Sequence, residues 1–376
     1  LRTFFARRIT GIALVFAFLM LGAAGNLSAQ LTYQELTSFG SVTPQYPYAG
    51  LTQVGDYLYG TSHQGGSAQV GTVFKVYMPT GAVTTVHSFN CSDGCYPYIN
   101  GLVRVGTDLY GTTPSGGSDS YGTVYKIDAS DNFSTLYNFS YSSGGSPYGG
   151  LVAVGSDLYG TTFQGGGSGY GTVYKIDTSG ANFSTLHSFN LSDGAYLSYG
   201  RLVTVGSYLY GTTYYGGSNS YYGTVYKIDT SGANFSTLHN FNGSDGANPF
   251  AGLVAVGSDL YGTTAQGGSS SGGYGTVYKL AGGTTFSTVI SFAGPCEDGC
   301  YPGFGGSLVE VGNYLYGTTA SGGSGGAGIV FKVHKTTGAR TAVYSFNSNC
   351  ANGCYPYGQL LQVGTDLYGT TNFGGS

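Results

Sequence analysis

The sequence predicts an all-β fold, a seven-bladed β-propeller made of four-stranded antiparallel blades. The main observation is a repeat with a period of about fifty residues, which is typical of architectures whose units stack on their neighbours. Seven copies of an LYGT core mark it, at residues 58–61, 109–112, 158–161, 209–212, 260–263, 315–318 and 367–370. The second observation is that glycine recurs at fixed places beside strand-forming residues, as turns between strands do.

Each unit contains four strand candidates, and the third unit shows them most clearly, at 151–154, 157–162, 171–177 and 184–189. Alternating side chains, β-branched and aromatic residues, and Gly, Asn, Asp or Ser between the segments favour antiparallel strands joined by tight turns. A parallel β-helix is the less favoured alternative, because its coils are shorter and lack a hairpin turn at every step.

The two ends of the repeat array predict how the ring closes. Residues 33–39 resemble the fourth strand of a unit, whereas the chain stops at Ser376, before a seventh copy of the third strand. We therefore expect residues 33–39 to complete the blade that the C-terminal segment begins, because this pairs two exposed strand edges. On this interpretation the chain is truncated, and the last blade is incomplete because it lacks its middle strand.

Residues 1–29 are predicted to be a secretory signal peptide that precedes a single domain over 30–376. Arg2, Arg7 and Arg8 come before an apolar run at 9–24, and small residues up to Ala29 suit a cleavage site. The alternative is an uncleaved membrane anchor, although the run is short for a full span. We expect the domain to be secreted or displayed at the cell surface.

The charge balance argues against two classes of partner. Lys and Arg number 13 against 17 Asp and Glu, and the three arginines of the leader are among the 13. A domain this acidic, without a basic cluster, is not expected to bind nucleic acid or anionic membrane surfaces.

All six cysteines lie in three frames of identical spacing, with glycine before the second cysteine. The pairs are Cys91 and Cys95, Cys296 and Cys300, and Cys350 and Cys354. An even number in an exported chain favours disulfides. A zinc site would need further ligands that the repeat does not supply.

The pattern GLVxVGxxLYGTT, followed by GGxxxxGTVYKI, resembles the GloVer tandem repeat of bacterial exported proteins, and residues 150–162 carry it best. The resemblance covers about residues 36–376. It implies a secreted protein that is often tethered through a C-terminal sorting segment, so contact with a membrane is expected only through such an anchor. The family has no established catalytic residues to transfer.

The most plausible ligand-binding residues are tyrosines in the loops between units, because aromatic faces with polar neighbours can stack on sugar rings. The predicted set is Tyr96, Tyr98, Tyr148, Tyr214, Tyr215, Tyr301, Tyr355 and Tyr357. The favoured interpretation, however, is that these rings fill the gaps between adjacent blades. One lysine per unit could likewise surround an anionic ligand, but a position along the blade beside an acidic neighbour, such as Asp157 for Lys175, is favoured.

No catalytic motif, metal-ligand spacing or cofactor signature stands out, so the sequence predicts no catalytic residues, no metal and no cofactor. The prediction is a non-enzymatic extracellular scaffold that binds a polysaccharide or a surface protein through the loops connecting its blades. One alternative is an extracellular hydrolase or lyase with a site at the channel mouth, where Glu310 is the best-placed glutamate. A purely structural envelope or matrix spacer is the other alternative.

Overall fold

A computed structural model describes residues 14–19, 32–39, 44–98, 101–218, 221–269, 272–294, 296–297 and 299–375. Over these ranges the chain forms β-strands and one short 3-10 turn at Pro302–Gly305. No helix among the described residues is long and apolar enough to cross a bilayer.

The strands follow the chain as consecutive sheets. Two N-terminal strands come first, β1 (Leu14–Leu19) and β2 (Thr32–Ser38). Sheet I contains β3 (Thr52–Val54), β4 (Tyr57–Ser62), β5 (Thr72–Tyr77) and β6 (Ala82–Ser88). Sheet II contains β7 (Val103–Val105), β8 (Asp108–Thr113), β9 (Thr123–Ile127) and β10 (Phe133–Asn138). Sheet III contains β11 (Val152–Val154), β12 (Asp157–Thr162), β13 (Thr172–Asp177) and β14 (Ser184–Ser188).

The second half repeats this order. Sheet IV contains β15 (Ala195–Leu197), β16 (Val203–Val205), β17 (Tyr208–Tyr215), β18 (Thr224–Asp229) and β19 (Ser236–Asn240). Sheet V contains β20 (Val254–Val256), β21 (Asp259–Thr264), β22 (Thr276–Ala281) and β23 (Thr285–Ser291). Sheet VI contains β24 (Val309–Val311), β25 (Tyr314–Thr319), β26 (Gly326–His334) and β27 (Arg340–Asn347). Sheet VII joins β28 (Leu361–Val363) and β29 (Asp366–Thr371) to β1 and β2.

The sheets are antiparallel and form a propeller ring in which six sheets are four-stranded blades. The short inner strands of neighbouring sheets lie side by side, for example β7 beside β11 and β20 beside β24. Among the described residues the hydrophobic core is divided into clusters, most of which lie between two consecutive sheets. Phe39, Leu51 and Phe74 pack with Leu361 and Tyr368 in one such cluster, so apolar contact joins sheet VII to sheet I.

Sheet IV differs from the prediction of four strands, because it gains β15 as a fifth. Leu197 of β15 pairs with Thr213 of β17. In the other six repeats a proline occupies the position of Leu197, and the residue two positions before it makes only an isolated bridge, as Cys95 does with Ser115. Since proline has no N–H to donate to a ladder, the bridge extends into a strand only in this repeat.

Sheet VII also differs from the prediction, which left its middle position empty. The order is β2-β1-β29-β28, so β1 lies between the closing strand and the C-terminal strands. Leu14 pairs with both Ser38 and Thr371. Two edges that flank a gap one strand wide expose unpaired N–H and C=O groups, and an apolar, β-prone segment satisfies both. The predicted gap is therefore wrong for the chain with its leader attached, since β1 belongs to that leader. Residues 1–13 and 20–29 of the predicted leader lie outside the described residues.

The glycine of the LYGT core is explained by close packing within each sheet. The ring of Tyr174 on β13 is fully buried against Gly160 on β12. A Cβ at Gly160 would lie 2.4 Å from the Tyr174 hydroxyl oxygen, closer than atoms can approach. The same contact recurs between Gly211 and Tyr226, and with a phenylalanine between Gly317 and Phe331. A side chain at this glycine is therefore excluded by the aromatic ring of the third strand.

The three predicted disulfides are present. Their Cα–Cα distances are 4.6 Å for Cys91–Cys95, 5.3 Å for Cys296–Cys300 and 5.0 Å for Cys350–Cys354. Each closes the turn that follows the outer strand of a sheet. Disulfides of this kind persist in oxidising compartments.

Candidate functional site

The linkers that join the outer strand of one sheet to the inner strand of the next share an unusual backbone conformation. Tyr96 has a φ of 57° and Tyr355 a φ of 55°, a left-handed conformation that bulky residues rarely adopt. The backbone N–H of Tyr96 donates to the carbonyl of Val70 at 2.7 Å, and that of Tyr355 donates to Ala327 at 2.9 Å. These bonds attach each linker to the sheet that precedes it. The equivalent residues, also at positive φ, are Tyr46, Ser146, Tyr196, Asn248 and Tyr301.

In each linker an aromatic residue follows two or three positions after this left-handed residue, and these rings form a continuous row. We define the aromatic row as Tyr357, Tyr48, Tyr98, Tyr148, Tyr199, Phe250 and Phe304. Successive ring centroids along this row lie 5.7, 5.1, 5.6, 4.7, 4.2 and 4.8 Å apart. Tyr98 also lies 5.5 Å from Tyr199, two repeats further along the chain. The row therefore brings residues from all seven linkers to one face of the molecule.

A cavity of about 310 Å³ opens beside the row, between the linkers of sheets II to IV. We call it the tyrosine pocket, and it is lined by His63, Tyr96, Tyr98, Pro114, Ser115, Tyr148 and Tyr199. Tyr96 is 36% exposed, whereas the other three tyrosines are half-buried. The pocket thus offers apolar ring faces together with phenol hydroxyls.

The pocket carries no charge at neutral pH. Burial raises the pKa of Tyr98 to about 12, helped by the neighbouring Tyr48, Tyr357 and Tyr148. Burial also lowers the pKa of His63, although hydrogen bonds with the backbone of Pro97 and Tyr96 act in the opposite direction. A neutral, aromatic wall with hydroxyl groups suits an uncharged ligand that has one apolar face and several hydroxyls, as a sugar ring has.

The structure brings together only part of the predicted tyrosine set. Tyr96, Tyr98 and Tyr148 line the tyrosine pocket, and Tyr357 lies in the aromatic row beside Tyr48. The other members are distributed around the ring: Tyr214 and Tyr215 contact each other at 4.5 Å, Tyr301 packs on Tyr274 at 5.7 Å, and Tyr355 packs on Phe373 at 6.1 Å. The eight residues therefore do not form one site.

The sequence analysis missed four of the seven lining residues, and two of these four, His63 and Tyr199, carry aromatic rings. His63 occupies a position where other repeats have Pro114, Phe163 or Ala265, so it departs from the repeat. Its ring lies 5.2 Å from that of Tyr96. Tyr199 lies in the one linker without the proline and therefore did not match the Pro-Tyr pattern. A search for residues that break the repeat would have identified both.

The repeated lysines do not surround a ligand, because each is engaged within or next to its own sheet. Where the second strand begins with Asp, the lysine of the third strand forms an ion pair, at 2.8 Å for Lys175–Asp157 and 2.6 Å for Lys279–Asp259. Where it begins with Tyr, the ammonium lies over the ring, at 4.8 Å for Lys227 above Tyr208. This confirms the favoured structural interpretation of the lysines.

The histidines of the fourth strands are packing residues. His87 stacks on Phe133 of the next sheet at 3.7 Å and contacts Asp93 at 2.9 Å. Tyr137 fills the same position in sheet II and stacks on Phe183 at 4.0 Å. Asp93 also accepts the backbone N–H of Asn90, so its carboxylate holds the turn.

The residues suggested for a catalytic site are engaged elsewhere. Glu310 lies on the inner strand β24, but its carboxylate pairs with Lys335. Over the described ranges, no three His, Cys, Asp or Glu side chains come together in a way that could hold a metal ion.

Comparisons with known proteins agree with the repeat pattern and with the fold. The model of the Gloeobacter/Verrucomicrobia repeat matches residues 26–222 and 198–376. No curated protein matches the sequence.

Among solved structures, a putative 6-phosphogluconolactonase from Bacteroides uniformis superposes with a TM-score of 0.56 at 13% identity, covering 88% of this chain and 95% of that one. Its counterpart from Bacteroides fragilis gives 0.53 at 14% identity, with 88% and 93% covered. The tricorn protease matches 80% of this chain at 16% identity with a TM-score of 0.44, and the match covers 26% of the protease's length. At these identities the likeness concerns the fold alone.

Proposed function

The chain belongs to the Gloeobacter/Verrucomicrobia repeat family, and we propose that it is an extracellular, non-enzymatic propeller that binds a neutral glycan in the tyrosine pocket. In this proposal the five-stranded sheet IV counts as the seventh blade. Export rests on the predicted leader and is supported by the three disulfides, which suit an oxidising compartment. N-terminal sequencing of the secreted protein should find Gln30 at the start, and this cleavage would remove β1 from sheet VII.

The observation that carries the binding proposal is the pocket formed by Tyr96, Tyr98, Tyr148, Tyr199 and His63. A sugar ring stacked on a tyrosine buries its apolar face, while its hydroxyls remain within reach of the phenols. The volume of about 310 Å³ suits one or two sugar residues of a longer chain. Because the sheets hold the linkers in place, binding needs little ordering of the protein.

The test is calorimetric titration with neutral oligosaccharides of the cellulose, xylan and chitin series. Tyr96→Asn should weaken binding of the best ligand about three- to tenfold, since one stacking partner is lost. Asn248 occupies the equivalent left-handed position, so asparagine suits the backbone there. Tyr355→Asn makes the same change outside the pocket and should leave the affinity unaltered.

Two results would contradict the proposal. One is the absence of binding to any neutral oligosaccharide or polysaccharide. The other is an equal loss of affinity in Tyr96→Asn and Tyr355→Asn. Chromatography of the ligand after long incubation separates binding from the hydrolase or lyase alternative, because an enzyme would release shorter products.

A further inference from the structure

The central channel holds a second cavity, and its lining differs from that of the tyrosine pocket. Its volume is about 380 Å³, and it lies among the inner strands and the residues just before them. Its polar side chains are Thr52, Gln53, Arg104, Arg201, Gln359 and Gln362. The lining therefore contains two positive charges and no carboxylate.

Arg201 occupies a crowded position on the channel axis. The residue before the leucine that leads into each inner strand forms a collar, made of Gly50, Gly101, Gly150, Arg201, Gly252, Ser307 and Gln359. Its members approach one another closely: a Cβ at Gly101 would lie 2.4 Å from the carbonyl oxygen of Gly50, and one at Gly252 would lie 2.6 Å from that of Arg201. A long charged side chain replaces glycine at this narrow place, so it must lie within the channel.

Neither channel arginine forms an ion pair with any residue that the structure describes. Across the part of the chain that the structure describes, Arg201 makes no side-chain hydrogen bond or ion pair. The Nε of Arg104 donates to the carbonyl of Gly106 at 2.8 Å, which holds the side chain but supplies no charge. The lysines differ, since carboxylates pair with Lys75, Lys126, Lys175, Lys279 and Lys335, and tyrosine rings cover Lys227 and Lys332.

Two like charges that face one half-open cavity repel each other, and the field in such a cleft attracts a counter-ion. Arg201 is exposed to the solvent of the channel, yet the surrounding protein atoms partly desolvate its guanidinium and lower its pKa. The group nonetheless remains charged at neutral pH. An anion between the two guanidinium groups would remove the repulsion. Arginine is suited to this role because its planar group donates two parallel hydrogen bonds to an oxyanion.

We propose that the channel cavity is a binding site for a small hydroxylated oxyanion. Arg104 and Arg201 hold the oxyanion, and the hydroxyls of the ligand contact the side-chain amides of Gln53, Gln359 and Gln362. The ligand is a sugar acid, whose oxyanion is a carboxylate, or a related hydroxylated compound whose oxyanion is a phosphate. The site is independent of the tyrosine pocket, which is neutral and formed by different linkers.

The chain itself suggests the variants that test this site. Gln359 is the collar residue equivalent to Arg201, and Gln53 and Gln362 are equivalent to Arg104 in their inner strands. Arg201→Gln and Arg104→Gln therefore remove one charge each by introducing a residue that the fold already accepts. Lys227→Gln removes a charge from the sheet body and is the matched control.

The experiment is titration of the full chain with sodium glucuronate, sodium phosphate and glucose, with chloride held constant. Glucuronate or phosphate should bind, and each arginine variant should bind that ligand about 10- to 100-fold more weakly, whereas Lys227→Gln should equal the parent. Binding of glucuronate but not phosphate assigns a carboxylate, and the reverse assigns a phosphate. The proposal fails if neither binds, if glucose binds as tightly, or if both arginine variants retain the parent affinity.

Discussion

The sheet interiors and the linkers differ in how departures from the repeat are accommodated. At the start of the second strand a departure from the repeat is matched by its partner: where Tyr208 replaces Asp157 in the next sheet, the lysine ammonium contacts the tyrosine ring instead of forming an ion pair. In the linkers and at the collar, His63 and Arg201 break the repeat without such a match. The difference teaches that repeated residues build the ring, whereas unmatched residues are the better candidates for binding.

The largest expected effect comes from the sheet interior. Gly160→Ala should lower the free energy of unfolding by about 2–3 kcal/mol, because the added Cβ overlaps the ring of Tyr174. Gly167→Ala is the control, since its nearest neighbour would be 3.8 Å away. Urea denaturation measures both variants.

Tyr174→Phe sharpens this test. The Tyr174 hydroxyl is buried and has no hydrogen-bond partner in the described part of the chain. Its removal should stabilise the protein by about 1 kcal/mol and partly relieve Gly160→Ala. Equal stabilities of Gly160→Ala and Gly167→Ala would show that the close packing does not control stability.

The second-largest expected effect is a loss of stability in acid, caused by the histidines that pack between neighbouring sheets. Burial lowers the pKa of His87 and of His239 in the folded state, with the adjacent aspartates opposing. The unfolded chain then binds more protons, so this stability is fully present above the unfolded pKa of about 6.5 and is lost as pH falls through the folded pKa. Urea unfolding at several pH values from 8 to 5 measures the loss.

Two substitutions at the same position change this pH dependence in opposite directions. His87→Tyr with His239→Tyr should flatten it, because Tyr137 shows that the position accepts tyrosine. Tyr137→His should steepen it, since Ser143 stands there in place of the aspartate and cannot favour the protonated ring. An unchanged pH profile in both variants would assign the acid sensitivity to other groups.

Much of the fold could be predicted from the sequence, because strand pattern and turn chemistry are local. The predicted segment 157–162 coincides with β12, and residues 33–39 differ by one position from β2. The binding sites could not be predicted, because they depend on which linkers converge. Tyr98 and Tyr199 are two repeats apart and meet only when the ring closes, and the role of Arg201 depends on the narrowness of the collar.

The smallest expected effect tests whether aspartate and tyrosine are equivalent partners for the lysine of the third strand. Asp157→Tyr should change the free energy of unfolding by less than about 0.5 kcal/mol, because Lys175 can exchange its ion pair for the ring face that Lys227 uses. Asp157→Ala offers neither partner and should cost more. If Asp157→Tyr is as damaging as Asp157→Ala, the lysine cannot exchange partners, and repeated residues would need individual explanations just as His63 and Arg201 do. A change in the free energy of unfolding close to zero for Asp157→Tyr would support the inference that function lies at the positions that break the repeat without a matching partner.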